Sequence, residues 1–510
     1  MVYKLAFEKK RNVSEHPPSR EGDVGHPLPD SEYAVSVSLP TWDSVIGYEE
    51  SQDSVLEKLK TGYPRFFLSP IIKSLENRVL SEFNVSDDFG CLIFTLESVA
   101  VRCREFILNR HDGWDVVVKP ICQGNAFTVI FPKQVQDVAK KFWRYFGEGL
   151  SVRCAKSLLA ENYTLDPRGN DALLAIKDRI AQDTGQSPKD VFIYPSGMAA
   201  VSAVHRALTH IVPGARSIQF DFPYVDVLKI QKEIGSGVVF LPAANEQSIS
   251  QLEEIVNDGE KICGIYCELP SNPLLRSADL NSIKRVTAPF NIPIVVDDTV
   301  ATNVNVDVFK YADVATTSLT KYYSGVGDVI AGAVIVNQDS IHKDKIVSQL
   351  ISQNDSTLYG EDAIALNNNM VDYRERILRV NQTAPRLVEL LNNHHSINKV
   401  WYPKHETRTH YDAVKREEGG FSGLFSIELK NPEKSTSQFY NALQLCKGPS
   451  LGANFTLVCP YTILAHYDEL QWCEENGVSK WLIRVSVGQE SYDFLSQRIL
   501  DALEAIDWNS

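Results

Sequence analysis

Lys321, Asp297 and the stretch Ser196-Gly197-Met198-Ala199 are the residues whose types and places could do chemistry together. Lys321 stands in SLTKYYSG, just after the apolar run 314–319 and beside Ser318 and Thr320. A lysine amine held away from water has a lowered pKa and can form a Schiff base with a carbonyl. Asp297 ends the run 293–298, where a carboxylate can pair with a cationic ring nitrogen and keep that ring electron-withdrawing. Ser196 to Ala199 follow the run 191–195 and open a helical segment. Glycine there lets the backbone come close, and the free N–H groups of a helix start bind phosphate. Each piece alone has a plain reading: an N-cap turn, a strand-end carboxylate, a surface lysine. Together, a phosphate cradle, a ring-nitrogen carboxylate and an amine are what pyridoxal 5'-phosphate (PLP) requires. A dinucleotide site is set aside, because Gly235-Ser236-Gly237 precedes a strand instead of following one.

Such groups act together only if a sheet presents them. In an open α/β sheet, ligands sit beyond the carboxyl ends of the strands. Seven apolar runs, at 191–195, 217–222, 238–243, 262–269, 293–298, 314–319 and 331–336, fit that need. Most are separated by helix-period segments such as 199–211, 225–234 and 249–256. This alternation predicts a mostly parallel seven-stranded sheet covered on both faces, an α/β large domain over 151–370. Beyond it, helices at 374–393 and 491–506 with strands at 421–429 and 481–487 predict a smaller α+β domain over 371–510. Residues 1–150 form an N-terminal extension. Its first 32 residues, rich in Pro, Glu, Ser and Gly from residue 8, are expected to be flexible. Short strands at 35–39 and 91–95 and helices at 57–60 and 135–146 follow. No internal repeat is seen.

Composition narrows the function classes. With 44% hydrophobic and 23% charged residues the chain is globular, and 510 residues imply two to three domains. The net charge of -14 argues against binding nucleic acid or anionic membranes. No apolar run reaches the roughly 18 residues of a membrane span, and the first residues lack the apolar stretch of a secretory signal. Nine scattered cysteines read as reduced core thiols and as neither disulfides nor a metal site. A cytoplasmic protein is expected, with the nucleus left open.

Further motifs extend the pattern. Ser318 to Tyr322, followed by Gly325, Asp328 and Gly332, resembles the lysine motif of the Cys/Met-metabolism, PLP-dependent trans-sulfuration enzymes. PSGMAA (195–200), ELPSNP (268–273), VDDT (296–299), PSLGAN (449–454) and IRVSVGQE (483–490) resemble other motifs of that family, in order. The resemblance covers roughly 150 to 510 and implies PLP fold-type I. By the same resemblance, Lys321 would bind the cofactor covalently and shuttle protons, with Asp297 on the ring nitrogen. Ser196, Gly197, Met198, Ser318 and Thr320 would hold the phosphate. Tyr224 would stack on the ring and assist proton transfer, and Asn272 would bond the phenolic oxygen. Arg484, assisted by Ser450, would clamp the substrate carboxylate, a task suited to the planar guanidinium fork. The segments 33–50, 62–67 and 142–153 resemble the long fungal cystathionine gamma-synthase-like proteins.

The departures are specific. Val225-Asp226-Val227 follows Tyr224 where the family has Gly-Gly-Thr, and Asp298 replaces an asparagine. Ser324 and Val326 stand where the family has glycine and histidine. The family's Tyr-x-Arg arm, which reaches the phosphate from a neighbouring subunit, has two candidates. Tyr63-Pro64-Arg65 is followed by Pro70 and Leu75-Glu76 at near-family spacing but lies far upstream; Ser151-Val152-Arg153 is closer and lacks the tyrosine. Arg153 is preferred. The resemblance implies a homodimer or homotetramer that makes cystathionine from O-acylhomoserine and cysteine by γ-replacement, in sulfur amino-acid biosynthesis. A lyase or sulfhydrylase of the same family, or a cofactor-binding paralogue without catalysis, is the alternative.

Overall fold

The computed structural model describes residues 11–160, 166–355 and 357–508. All seven apolar runs are strands: β1 Val191–Tyr194, β2 Arg216–Phe220, β3 Val238–Leu241, β4 Ile262–Glu268, β5 Ile294–Asp297, β6 Val314–Thr317 and β7 Gly332–Val336. They form one sheet in the order β1-β7-β6-β5-β4-β2-β3. Neighbours from β6 across to β3 pair in parallel, whereas β7 runs antiparallel to both β1 and β6. The sheet is therefore mostly parallel, as expected, with one reversed strand. Helices cover both faces, which is why β4 is buried at every position and reads as a continuous apolar run. Helix α1, Gly197–Ile211, packs its alanine-rich side on the sheet, and Ser196 caps it by accepting from the Ala199 N–H at 3.0 Å. Helix α2, Val225–Glu233, follows β2.

The register matters for the site. Asp297 lies level with Glu268 on one side and Thr316 on the other. Polar side chains that look scattered in sequence thus meet at one edge of the sheet.

The C-terminal portion is an α+β domain with a five-stranded sheet, larger than the two strands expected. Its strands are β8 Ile397–Trp401, β9 Leu424–Leu429, β10 Cys446–Lys447, β11 Leu457–Pro460 and β12 Ile483–Ser486, in the order β8-β9-β12-β11-β10. The missed strands have two to five residues, too short for a clear period. Long helices at Tyr373–Asn392 and Tyr492–Glu504 cover it.

The N-terminal region corrects two expectations. From Arg11 onward the supposed flexible lead-in is packed, while residues 1–10 lie outside the described residues. Val13 and Leu28 are buried with Cys446, Phe455 and Leu457 of the small domain, and Pro27–Leu28 pairs with Ser36–Val37. A few apolar anchors suffice where polar composition suggested none. The helix expected at 57–60 is instead at Asp53–Leu56. Beyond the arm, Phe89–Phe94, Ala126–Pro132 and Val117–Ile121 form a separate three-stranded sheet. Phe142 and Phe146, from the helix Gln136–Phe146, pack on Met198 and Val201 of α1 and on Val227 and Ile230 of α2. Eight of the nine cysteines are buried, and none is joined in a disulfide. Among the described residues, no helix is long and apolar enough to cross a membrane.

Candidate active site

A cavity of about 1050 Å³ opens over the carboxyl ends of β4, β5 and β6 and is closed by the small domain and the N-terminal region. Gly197, Met198, Tyr224, Asn272, Asp297, Ser318, Lys321, Ser450 and Arg484 all line it. The structure therefore brings together most of the residues singled out from the sequence.

Lys321 sits in the turn after β6, its Nζ donating to Ser450 Oγ at 2.8 Å and Tyr63 Oη at 3.2 Å. Burial pushes its amine below the ordinary lysine value, which favours the neutral, nucleophilic form. The loop around it needs a glycine: Gly452 has φ +70°, and a Cβ there would lie 2.7 Å from the Tyr322 nitrogen. Ser450, two residues earlier, holds the left-handed φ of 85°, an uncommon strain for a serine that turns its side chain to the lysine.

Asp297 accepts from the Thr299 N–H at 2.9 Å and from Thr316 Oγ1 at 3.4 Å. Its carboxyl faces the cavity but is secluded from bulk water, and burial raises its pKa. Among the described residues no lysine or arginine pairs with it, so a carboxyl at the cavity wall is left to face a cationic ligand. Gly197 and Met198 begin α1, where first-turn N–H groups have no partner within the helix. A Cβ on Gly197 would lie 2.9 Å from the Ser318 Cβ, closing the gap between these two walls. Amine, unpaired carboxylate and open helix start fit PLP in this cavity.

Arg484, on β12, is 6% exposed and lies over the Tyr461 ring. Its Nη1 donates to Asn272 Oδ1 at 3.1 Å and its Nη2 to the Ser450 carbonyl at 2.7 Å. The guanidinium is thus oriented before any carboxylate arrives.

Three expected ligands lie elsewhere. The Ser196 hydroxyl donates to the Gly147 carbonyl at 2.6 Å while capping α1. Thr320 Oγ1 donates to the Ala331 carbonyl and accepts from the Ala331 N–H. Both hydroxyls hold loops together and are spent before reaching the cavity. Arg153 is tied to Asp328 at 3.0 Å and Asp362 at 3.1 Å, lies over Tyr33, and does not line the cavity. Arg65 does. Its Nη2 donates to Tyr224 Oη at 2.5 Å, and its Nη1 pairs with Asp226 at 2.8 Å. Of the two candidates, Arg65, whose spacing to Pro70 and Leu75-Glu76 is near that of the family, is the one that lines the cavity. Burial alone would raise the Tyr63 phenol, but the Lys321 and Arg65 charges beside it outweigh this and hold it below its ordinary value.

Glu268 is a positioning residue that the sequence left without a role. One carboxyl oxygen accepts from the Tyr224 N–H and the other from the Asn272 N–H at 3.0 Å. Burial, then the neighbouring Asp297, raises its pKa well above the carboxylate range.

This fold and donor set define a fold-type I PLP enzyme. Residues 158–504 match the family described as Cys/Met metabolism PLP-dependent enzyme, and residues 71–151 match the fungal trans-sulfuration enzyme N-terminal domain. The chain belongs to the Cys/Met metabolism PLP-dependent enzymes, and its cofactor is PLP. It is 32% identical to a cystathionine gamma-synthase of Neurospora crassa, over 96% of this chain and 99% of that one. To a cystathionine gamma-synthase of Saccharomyces cerevisiae it is 31% identical, over 93% and 98% respectively. The fold matches a crystal structure of cystathionine gamma synthase from Xanthomonas oryzae with a TM-score of 0.59 at 22% identity, covering 67% of this chain and 90% of that one.

Proposed function

We propose that this chain is a cystathionine gamma-synthase, joining an O-acylhomoserine to cysteine and releasing the acyl group as a carboxylate. The observation that carries the reading is the convergence of Lys321, Asp297, Gly197 and Arg484 on one cavity. The near full-length likeness to the Neurospora enzyme supports the choice of reaction.

When bound, PLP supplies an electron sink for the charge left as a proton leaves the substrate α carbon. The chain's own groups do the rest. Gly197 and Met198 would offer backbone N–H groups to the phosphate, with the Ser318 hydroxyl, and Asp297 would keep the ring nitrogen protonated. Arg484 clamps the substrate α-carboxylate, its fork held by Asn272 and the Ser450 carbonyl. The Lys321 amine, whose pKa burial lowers, takes the α proton and passes protons along the substrate side chain. Ser450 Oγ and Tyr63 Oη fix where that amine points. The Tyr224 phenol, receiving Arg65 Nη2, lines the same cavity, where it would aid departure of the acyl oxygen. Cysteine sulfur then forms the bond to the γ carbon. A homodimer or homotetramer, which rests on the family resemblance, completes this reading, with the cytoplasm expected from the scattered reduced cysteines.

The test is a product assay. Purified protein with PLP is given cysteine and either O-succinyl- or O-acetylhomoserine, and mass spectrometry looks for cystathionine, with Lys321→Ala as control. Cystathionine from the wild type alone is expected. Keto acid and thiol released from cystathionine in a parallel tube, with no synthesis, would make the chain a lyase. No product in either tube, from yellow protein, would make it a cofactor-binding paralogue.

A further inference from the structure

Gly147 takes no part in the chemistry above, yet it touches the start of the phosphate-binding helix. It ends the helix Gln136–Phe146 in the left-handed conformation, with φ 69° and ψ 21°. Its carbonyl is the group that accepts from Ser196 Oγ at 2.6 Å, while the same oxygen accepts from the Ala199 N–H. A hydroxyl has one proton to give, and Gly147 takes it. The serine oxygen is thereby aimed at Ala199, and the N–H groups of Gly197 and Met198 are left for a ligand. The approach is close: a Cβ on Gly147 would collide with Ser196 Oγ and lie 3.0 Å from both the Ala199 nitrogen and the Met198 Cβ. Conformation and space both exclude a side chain here.

Glu148, the next residue, is clamped. Its side chain is 3% exposed, and its two oxygens accept from Arg102 Nη2 at 2.8 and 2.9 Å. Asp355 joins Arg102 at 3.0 Å to Arg206 of α1 at 2.9 Å, and Arg206 stands 3.7 Å from Glu148. Two arginines and two carboxylates balance in charge, so losing one member strands another away from water. Helix α1 is therefore gripped twice, at its first turn by Gly147 and farther along, at Arg206, by the Glu148 cluster. Phe142 and Phe146 pack on its Met198 and Val201 as well. Arg102, Phe142, Phe146, Gly147 and Glu148 all belong to the stretch 71–151, which matches the fungal N-terminal domain. We infer that this domain is a positioning element of the cofactor site, with Gly147 and Glu148 as its positioning residues. They hold the first turn of α1 so that the Gly197 and Met198 N–H groups face the phosphate, and so set how tightly PLP is retained. The inference rests on the reading of the cavity as the PLP site, but its test does not need turnover.

Gly185 supplies a matched control. It ends the helix Arg168–Thr184 with φ 71°, nearly the same backbone, but a Cβ there would meet nothing within 4 Å. Gly147→Ala and Gly185→Ala thus carry like backbone strain, and only the first presses on the phosphate loop. Full-length apoprotein of each variant and of the wild type is titrated with PLP by absorbance, and phosphorus NMR spectra are recorded after reloading. Gly147→Ala should raise the PLP Kd at least about tenfold, the worth of one hydrogen bond to a charged group, and should move the phosphate resonance. Gly185→Ala should leave both as in the wild type. An unchanged Kd and resonance in Gly147→Ala would overturn the inference, and so would an equal rise in both variants, which marks general loss of stability. If Gly147→Ala does not fold, Glu148→Gln, which keeps the side-chain shape, should raise the Kd about threefold, and no rise overturns it. Wild-type apoprotein that takes up no PLP would sink the reading of the cavity itself. Wild-type uptake that Gly147→Ala matches would sink the positioning role alone.

Discussion

Arg65 and Arg153, the first buried and the second partly so, both lie near tyrosine rings, and both are held by carboxylates of the large domain. Their surroundings differ in the count of charges. Arg65 and Arg144 share one anion, Asp226, which leaves one positive charge over. Arg153 alone faces two anions, Asp328 and Asp362, which leaves one negative charge over. The first cluster opens on the cavity and suits anionic ligands; the second is closed and fastens the start of the large domain to its loops. Two arginines with similar partners can thus do different work, and the balance of those partners tells which.

The contrast can be broken by replacing each in turn. Arg153→Ala leaves Asp362 buried and unpaired, so a loss of about 3–5 kcal/mol in denaturant unfolding is expected, with turnover per folded molecule unchanged. Reduced turnover in the folded fraction would erase the distinction. Arg65→Ala should lower kcat/KM by about 10²–10³-fold in folded enzyme, since Tyr224 loses its donor and the cavity its surplus positive charge. Near wild-type kinetics would return the arm to Arg153 or to another residue.

A third variant sharpens the picture on the far side of the cavity floor. Burial, and then Asp297, pushes Asp298 up to about 7. Its carboxyl holds a proton in the native state over a range where the unfolded chain has lost it. Native binding of more protons than the unfolded state means that stability falls as pH rises through that range. Asp298→Asn should therefore gain on the wild type by about 1.4 kcal/mol per pH unit between the ordinary value of 3.8 and about 7, then level off. Thermal melts at several pH values read this, and a pH-independent difference would contradict it. The smallest effect is expected from Arg144→Gln, whose side chain is 32% exposed. A cost of about 0.2–1 kcal/mol is expected, shrinking at high salt.

Much of this was legible in the sequence because parallel strands buried on both faces read as continuous apolar runs. The same logic located Lys321, Asp297 and Gly197, which sit on strands or just beyond their ends, while Arg484 came from the family resemblance. What escaped did so for physical reasons. Ser196 and Thr320 neighbour the right residues, but adjacency does not reveal whether a hydroxyl caps a helix or faces a ligand. Glu268 and Asp226 act on backbone N–H groups and on a distant arginine, contacts that only the folded register creates. The N-terminal anchors Val13, Leu28 and Val37 are too sparse to show a period, although each is buried.

Those anchors also set an order of events during synthesis. The Leu39 N–H donates to the Lys447 carbonyl, and the Leu39 carbonyl accepts from Tyr440 Oη, so the first packed segment is completed by residues some four hundred positions later. At about 5–20 residues per second, a ribosome takes roughly 20–80 s to deliver that partner. Through that interval the emerging chain carries Leu28, Val37 and Leu39 without their native cover. This segment is made some four hundred residues ahead of the strand and helix that cover it.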